Sequence, residues 1–354
     1  MIALGACVNG PGGTAGDGPP SHERPYPTHE SVPAEDALGV VWTEVPGNPL
    51  IPLPDCPAWN CLGMTDPWVE RDADGDLLMW FSTGGDLGGP LVGRARVSAG
   101  LSAVLDPSDA PVLTIEEGVW DRYRETVSLR LDDDGEAWTM WYLGYSVSFF
   151  DDPAIGQMRS ADSAGTDWIR ADSPIYTPDP DGWDFAFITG PTFVEAPDGQ
   201  WRIYYTGAGT TVGIGLLTSD DEGGTWTPYP GNPVFERDLA SWDQGLFEPS
   251  IRHIGGPEGR YMMWYAGYEE PLDLESTPIY IGLATSADGI AWERSEYNPV
   301  LGPAAPGAWN DLRVTSPHVV EDEDGSLLMF VHAQDMGSIG RSMGLLGVWR
   351  SATP

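Results

Sequence analysis

The chain alternates between short apolar runs and turns rich in Gly, Pro and Asp, and no long stretch places apolar residues at helical spacing. The apolar runs, such as "LLMWFS", "AWTMWYLG" and "YMMWYAG", are short enough to be single strands. Turns of Asp or Glu followed by Gly separate them from the preceding strands, which is typical of β-hairpins. The pattern therefore predicts many short antiparallel strands and an all-β fold.

Three signals recur in the same order at intervals of about 60 residues, as expected for the blades of a propeller. The first is the hairpin turn, found at Asp74-Gly75, Asp134-Gly135, Asp198-Gly199, Glu258-Gly259 and Asp324-Gly325. The second is a strand that contains Gly93, Gly156, Gly215, Gly282 or Gly347. The third is a strand that begins with Trp168, Trp226 or Trp292 and ends in a Pro turn. Five copies of the first two signals predict a five-bladed β-propeller with four-stranded blades.

The fifth copy ends without a Trp strand, and the start of the chain supplies a spare one. Residues 41–50, "VWTEVPGNPL", resemble residues 225–234, "TWTPYPGNPV", which form the Trp strand and turn of blade three. We therefore expect residues 40–45 to pair with the strand near residues 345–350. The N-terminal strand around Trp42 would join the last blade, which removes an open sheet edge. The predicted propeller spans residues 40–354.

Residues 1–39 lack periodicity and are rich in Gly, Pro and small polar residues, which predicts a signal remnant and flexible linker. "LGAC" resembles a bacterial lipobox and implies lipidation at Cys7; the alternative is a chance cysteine in a linker. Cys56 and Cys61 are close enough in sequence to form a disulfide, or they are two free thiols. These features predict an extracytoplasmic location, at the cell surface on a lipid anchor, periplasmic or secreted.

The formal net charge of -37 argues against nucleic acid or an anionic membrane surface as a partner, because both would be repelled. No segment approaches the roughly 20 apolar residues of a membrane span. Any membrane contact is therefore expected only through a lipid anchor.

The repeats also align the five blades with one another at the central funnel. The equivalent positions are Asp66, Thr126, Gly190, Glu248 and Ser316, and the positions before them are Thr65, Glu125, Thr189, Phe247 and Thr315. The fold does not require a carboxylate at a position where only some blades have one. Asp66, Glu125 and Glu248 are therefore the candidate catalytic residues, against the alternative that they cap strands or form salt bridges.

Over about residues 40–354 the chain resembles the five-bladed propeller glycosidases of glycoside hydrolase families 43 and 32. The resemblance depends on the blade number, on "DPW" in blade one and on "RET" in blade two. It implies that Asp66 is the base or nucleophile and that Glu125 tunes the site. The family's acid lies in blade three, where this chain has Thr189 in "TGP", so Glu248 is the nearest substitute.

The resemblance implies a glycoside hydrolase that acts on a carbohydrate; the alternative is a glycan-binding propeller that has lost its general acid. Trp68, Phe187 and Tyr268 are candidates for stacking on a sugar, although packing is their alternative role. Arg124 and Arg313 are candidates for binding a carboxylate or phosphate, which keeps a sialidase or phosphorylase in view. No cofactor is expected. In family 43 a blade-five His helps hold a central ion or water, and the resemblance gives His318 that role; the alternative is a satisfied core histidine. A structural calcium ion is the one cofactor left open.

Overall fold

The structure is a computed structural model that describes residues 32–50, 63–72, 74–84, 89–98, 100–105, 107–147, 151–256, 259–337 and 344–353. The described strands form five antiparallel sheets, each with four main strands. The first strand of each sheet contacts the first strands of the two sheets beside it, which closes the ring. The predicted five-bladed β-propeller is confirmed. No helix among these residues is long and apolar enough to cross a bilayer.

The strands follow the predicted blade order. Blade one contains β2 (Met64–Arg71), β3 (Leu77–Gly84), β4 (Pro90–Val97) and β5 (Val104–Leu105). Blade two contains β6 (Tyr123–Leu131), β7 (Trp138–Tyr145), β8 (Ala154–Ser160) and β9 (Trp168–Arg170). Blade three contains β10 (Phe187–Glu195), β11 (Trp201–Ala208), β12 (Val212–Ser219), β13 (Thr227–Pro228) and β14 (Phe235–Glu236), of which the last two both pair with β12. Blade four contains β15 (Gly245–Ile254), β16 (Arg260–Tyr268), β17 (Tyr280–Ser286) and β18 (Glu293–Arg294). Blade five contains β19 (Arg313–Glu321), β20 (Leu327–Gln334), β21 (Leu345–Ser351) and β1 (Trp42–Glu44).

The N-terminal strand β1 closes the ring as predicted. Trp42 lies opposite Ser351 and Glu44 lies opposite Trp349, so β1 is the outer strand of blade five. Before β1, residues 34–36 form a short 3-10 helix, and Val40 is buried in the core between blades four and five. The carbonyl of Gly39 accepts a hydrogen bond from Trp264 Nε1 at 2.9 Å. Packing against the propeller therefore begins just before the predicted boundary at residue 40.

The repeated "NP" turns explain why the opening phrase returns in later blades. The side-chain amide of Asn48 donates to the carbonyl of Val348 and accepts from its N–H, both at 2.9 Å. Asn232 makes the same pair of bonds with Leu216, and Asn298 makes it with Leu283. Each side-chain amide thus takes the place of a residue of the fourth strand. It pairs with the N–H and C=O of the third strand at a point that the fourth strand does not cover.

Aromatic side chains dominate the layers between blades, where Trp80, Trp138, Trp141 and Trp264 are fully buried. The Trp-Asp pairs before the inner strands are part of this packing. In blades two, three and four the Asp accepts a hydrogen bond from a tyrosine of the second strand; the pairs are Tyr142 with Asp121, Tyr205 with Asp184, and Tyr265 with Asp243. The tryptophans of the pairs stack on the same tyrosines, as Trp120 does on Tyr142 and Trp242 on Tyr265, which gives them a packing role.

Each inner strand is interrupted at one equivalent position. The register against the second strand shifts there in all five blades. The residues at these positions all have a left-handed backbone, with φ of 51° at Asp66, 47° at Thr126, 63° at Gly190, 51° at Glu248 and 48° at Ser316. A bulge of this kind re-aims one side chain away from the ladder. The predicted equivalence of the five funnel residues is therefore confirmed.

The turn "SDDEGGTW" at residues 219–226 of blade three follows β12, at the end of the blade away from the start of the inner strand. Its Asp221 accepts hydrogen bonds from the backbone and side chain of Thr225 at 2.8 Å, and Ser219 accepts from the N–H of Gly223 at 2.9 Å. These bonds satisfy a tight turn from within, as expected for a structural element.

Candidate functional site

A cavity of about 700 Å³, open to solvent, lies where the inner strands begin. Its charged lining residues are Asp66, Glu125, Glu248 and Arg313. Most of its wall is apolar and includes Phe187 and Phe247 from inner strands, with Leu272, Leu274 and Ile279 from the segment between β16 and β17. We call this space the upper cavity.

A smaller space continues along the propeller axis below the upper cavity. Asp66, Thr126 and Glu248 line both spaces, so the bulged residues form the throat between them. Below the throat the wall contains the prolines that follow four of the bulges, namely Pro67, Pro191, Pro249 and Pro317. Proline has no N–H to leave unpaired where the strand ladder is interrupted. The two carboxyl groups of the throat therefore lie on the floor of the upper cavity.

Ser316 joins Asp66 to Glu248. Its Oγ lies 2.8 Å from Asp66 Oδ1 and 2.7 Å from Glu248 Oε2. A serine hydroxyl carries only one hydrogen, so it cannot donate to both carboxyl groups at once. The arrangement is fully satisfied when Glu248 carries a proton and donates it to Ser316, while Ser316 donates to Asp66.

The electrostatics of Glu248 agree with that protonation state. Burial, together with the nearby negative charge of Asp66, raises the pKa of Glu248 to about 8, despite the hydrogen bonds it makes with Ser316 and Thr315. The Thr315 hydroxyl donates to Glu248 Oε2 at 2.9 Å. A carboxyl group with such a pKa is mostly neutral at pH 7 and holds a proton available for transfer.

Asp66 has a different environment, although it lies on the same floor. The hydroxyl of Thr65 donates to Asp66 Oδ2 at 2.8 Å, on the oxygen opposite the one that faces Ser316. Asp66 is therefore oriented by hydroxyl groups on both sides. Because Ser316 contacts both acids, Asp66 Oδ1 and Glu248 Oε2 lie no more than about 5.5 Å apart, the two contact distances together.

Glu125 forms part of the side wall of the same cavity. Its Oε1 accepts a hydrogen bond from the Tyr145 hydroxyl at 2.8 Å. Burial raises the pKa of Glu125, and the neighbouring Asp66 charge raises it further. The structure thus brings all three predicted carboxyl groups to one cavity.

Arg313 supplies the only arginine side chain in the described lining of the upper cavity. The side chain is buried, and its Nη2 donates to the carbonyl of Leu274. Its Nε and Nη1 have no hydrogen-bond partner among the described residues, and no described carboxylate lies within 4.0 Å. Burial lowers the pKa of Arg313 to about 10, so the side chain stays positively charged at neutral pH.

The other predicted contact residues are distributed more widely. Phe187 lines the upper cavity, whereas Trp68 and His318 lie below the throat with their rings 4.2 Å apart. Arg124 is held in ion pairs with carboxylates outside the cavity, Asp121 and Glu116. Tyr268 is buried against Phe247, with ring centroids 5.9 Å apart.

The surroundings of His318 do not fit a calcium ion. Burial holds the pKa of His318 well below its usual range, and Arg252 Nη2 lies 3.0 Å from His318 Nε2. The Val69 carbonyl lies 2.8 Å from the same Nε2, so this nitrogen already has two protein partners, one of them a cation, and calcium takes oxygen ligands rather than an imidazole nitrogen. Within the described ranges no group of three or more His, Cys, Asp or Glu side chains is suited to a metal ion. Cys7, Cys56 and Cys61 lie outside those ranges.

Blade three contributes no acid to the cavity, since Thr189 lines the position before its bulge and Gly190 occupies the bulge itself. Sequence reasoning missed the roles of Ser316, Thr315 and Thr65. The blade alignment contains a usable signal, because all three stand at the two funnel positions. Their hydroxyl groups were overlooked because only carboxylates were selected there.

Comparisons of the structure with solved structures find many propellers of the same architecture. A glycosyl hydrolase from Bacteroides ovatus matches with a TM-score of 0.67 and 17% identity over 90% of this chain and 95% of its own. A structure described under a GH130 family of mannoside phosphorylases that contains glycoside hydrolases matches with a TM-score of 0.65 and 17% identity over 87% of this chain and 93% of its own. An α-L-arabinofuranosidase from Lactobacillus brevis matches with a TM-score of 0.60 and 14% identity over 90% of this chain and 94% of its own. The chain therefore shares the five-bladed fold of glycoside hydrolases. No protein-family model and no curated protein sequence matches it.

Proposed function

We propose that the protein hydrolyses a glycosidic bond, with Glu248 as the proton donor and Asp66 as the nucleophile. The observation that carries the proposal is the pair of acids joined by Ser316, in which Glu248 holds a proton at neutral pH and Asp66 accepts hydrogen bonds from two hydroxyl groups. Glycoside hydrolysis requires two carboxyl groups in such different states. The fold shared with glycoside hydrolases supports the same assignment.

The separation of the acids favours a retaining mechanism. Retaining enzymes place their carboxyl groups about 5 to 5.5 Å apart, whereas inverting enzymes need roughly 6.5 to 9.5 Å to admit a water molecule. The Ser316 contacts keep the two oxygens at or below the shorter range. Asp66 is therefore assigned the attacking role rather than that of a base acting through water.

The reaction then follows in two steps. Glu248 protonates the glycosidic oxygen, the bond from that oxygen to the anomeric carbon breaks, and Asp66 forms a covalent bond to that carbon. In the second step the ionised Glu248 accepts a proton from water while the water oxygen attacks the anomeric carbon and releases Asp66. Ser316 hydrogen bonds to whichever oxygen is charged, and Glu125, held by Tyr145, is placed to accept a sugar hydroxyl.

The test begins with a screen of the purified protein against aryl glycosides and plant or microbial oligosaccharides. For a substrate that is cleaved, Asp66→Asn and Glu248→Gln are each expected to reduce kcat on the order of 100- to 10,000-fold. Asp109→Asn and Glu293→Gln change exposed acids away from the cavity and are the matched controls. A 2-fluoro glycoside should label the peptide that contains Asp66. Cleavage that persists in both site variants removes these residues from the mechanism.

A glycan-binding role is the second candidate, because Thr189 stands where the resembling families place their acid. In that case the upper cavity binds a sugar and leaves it intact. Calorimetry with the same oligosaccharides separates the two functions: affinity without turnover supports binding, whereas turnover lost in Glu248→Gln supports catalysis.

A further inference from the structure

Arg313 is a buried cation that the protein itself leaves only partly satisfied. Its side chain is 1% exposed, and of its three nitrogens only Nη2 has a hydrogen-bond partner among the described residues. Asp273 is the one acid whose charge raises the pKa of Arg313, and its side chain is in solvent. Arg124 shows the contrast, since two carboxylates hold its guanidinium in place.

Burying a charged group without a partner destabilises a protein, so such a group needs an explanation in a native fold. The proposed acid pair does not explain Arg313, because no described carboxylate lies within salt-bridge distance of it. Its position in the cavity wall offers a different explanation, in which the missing partner arrives with the ligand.

We propose that Arg313 binds the carboxylate of an acidic sugar, so that the substrate is a glycan containing a uronic acid. This inference deepens the proposed function, because it names the substrate class of the same cavity. A guanidinium presents several N–H donors in one plane and matches a carboxylate with two parallel hydrogen bonds. Each such pair uses Nη2 together with Nε or Nη1. Nε and Nη1 have no partner among the described residues, and Nη2 has a second hydrogen besides the one it donates to Leu274.

The position of Arg313 along β19 suits this role. Arg313 and Thr315 are two residues apart, before the bulge, so their side chains lie on the same face of the strand. Thr315 contacts Glu248 directly. The backbone positions of Arg313 and Thr315 are therefore about 7 Å apart along the strand, a span comparable to one sugar ring. The apolar residues Leu272, Leu274 and Ile279 beside Arg313 offer a surface for the ring itself.

Charge favours a sugar carboxylate over inorganic phosphate. The cavity holds one arginine, together with Asp66, Glu125 and Glu248. A carboxylate carries one negative charge, which the single guanidinium balances. Phosphate carries nearly two negative charges at neutral pH, and the guanidinium balances only one of them. The second charge would lie near the acids of the same cavity without a cation to balance it. Hydrolysis through Asp66 also requires no phosphate nucleophile.

The experiment compares acidic sugars with their neutral counterparts in wild type, Arg313→Met, Arg313→Lys and Arg237→Gln. Arg237 is the matched control, because it is paired with Glu270 at 2.7 Å and lies outside the cavity lining. Glucuronic acid is tested against glucose, and galacturonic acid against galactose, by calorimetry; the matching nitrophenyl glycosides are tested for cleavage. Thermal melts of each variant verify folding.

We expect wild type to bind one of the acidic sugars on the order of 10- to 100-fold more tightly than its neutral counterpart, as for hydrogen bonds to charged groups. Arg313→Met should abolish that difference without weakening binding of the neutral sugar, Arg313→Lys should retain part of it, and Arg237→Gln should retain all of it. Acidic sugars bound no more tightly than neutral ones, or cleavage that requires phosphate and releases a sugar phosphate, would overturn the inference. Acid-selective binding without cleavage would refute the hydrolase and leave the role of Arg313 intact. Cleavage of neutral glycosides alone would support the hydrolase and refute the role of Arg313.

Discussion

Asp66 and Glu248 belong to blades one and four, which are not neighbours in the ring, yet both carboxyl groups reach the hydroxyl of one serine on the blade between them. The bulge in each inner strand makes this meeting possible, because it directs the two side chains toward the axis. The shared hydroxyl also makes the protonation states of the two acids interdependent.

The fall of kcat/KM on the alkaline side of its pH profile, the alkaline limb, should reflect the deprotonation of Glu248. Because the pKa of Glu248 is raised to about 8, the proton donor is present at neutral pH and is lost as the pH rises through that value. We expect kcat/KM to fall tenfold per pH unit above about 8. Measuring the profile between pH 5 and 10 tests this, with Asp109→Asn as control. A plateau extending past pH 9 would contradict the assignment.

Removing the Ser316 hydroxyl should change the same limb without removing either acid. When Glu248 is ionised, Ser316 can donate a hydrogen bond to it, which lowers the pKa of Glu248. Ser316→Ala removes this donor, so the alkaline limb should move to higher pH. Loss of the contact with Asp66 should also reduce kcat, by about tenfold for one hydrogen bond to a charged group. Kinetics across pH separate the two effects, and Ser102→Ala, on an exposed turn, is the control.

Glu248 should also affect stability. In the unfolded chain its pKa is close to the ordinary 4.5, and in the folded protein it is about 8. Between these values the folded state holds a proton that the unfolded state has lost, so stability decreases as the pH rises. Glu248→Gln keeps a neutral side chain in place. We expect it to melt a few degrees higher than wild type at pH 8 to 9 and to differ little near pH 4. Equal melting temperatures of wild type and Glu248→Gln at alkaline pH would be evidence against a buried Glu248 with a raised pKa.

The closing strand should depend on Asn48. Asn48→Ala removes two hydrogen bonds to Val348, and we expect a loss of about 1 to 3 kcal/mol in the free energy of unfolding. Asn232→Ala should cost a similar amount, because it removes the same pair of bonds in blade three. Denaturant unfolding measures both, and Glu293→Ala on an exposed strand position is the control. No change in Asn48→Ala would mean that β1 contributes little to closure.

The cysteines provide a test of location. If the chain is a lipoprotein, mass spectrometry of protein from its native host should find Cys7 acylated and at the N-terminus. Cys56 and Cys61 should be joined, so that alkylation without reduction labels neither. Two free thiols in protein taken from an oxidising compartment would reject the disulfide.

The architecture could be predicted because its signals are local and repeated. Five hairpin turns fixed the blade number, and the missing Trp strand after "VWRSATP" required another segment to pair with β21. The alignment of the blades by itself places Asp66, Glu125 and Glu248 around one funnel. Repeats give this information because every blade satisfies the same packing constraints.

The remaining contact residues were harder to predict because side-chain direction depends on the bulges. Arg124 and Glu125 are adjacent on β6 and point to opposite faces, so only one of them can line the cavity. Trp68 and His318 follow their bulges by two residues and fall below the throat. The cost of burying Arg313 without a partner depends on the whole wall around it, which no local pattern encodes.

The closure of the ring constrains the order in which the protein is made. Asn48 and Val348 are 300 positions apart, and β1, the first described strand of the propeller, pairs with β21, the last. β1 has no partner until nearly all of the propeller has been synthesised, and blade five stays incomplete for the same period. Contacts of such long range also slow folding. The ring therefore closes only after β21 has been made, and a nascent chain that stalls before that point leaves β1 unpaired and the outer edge of β20 open.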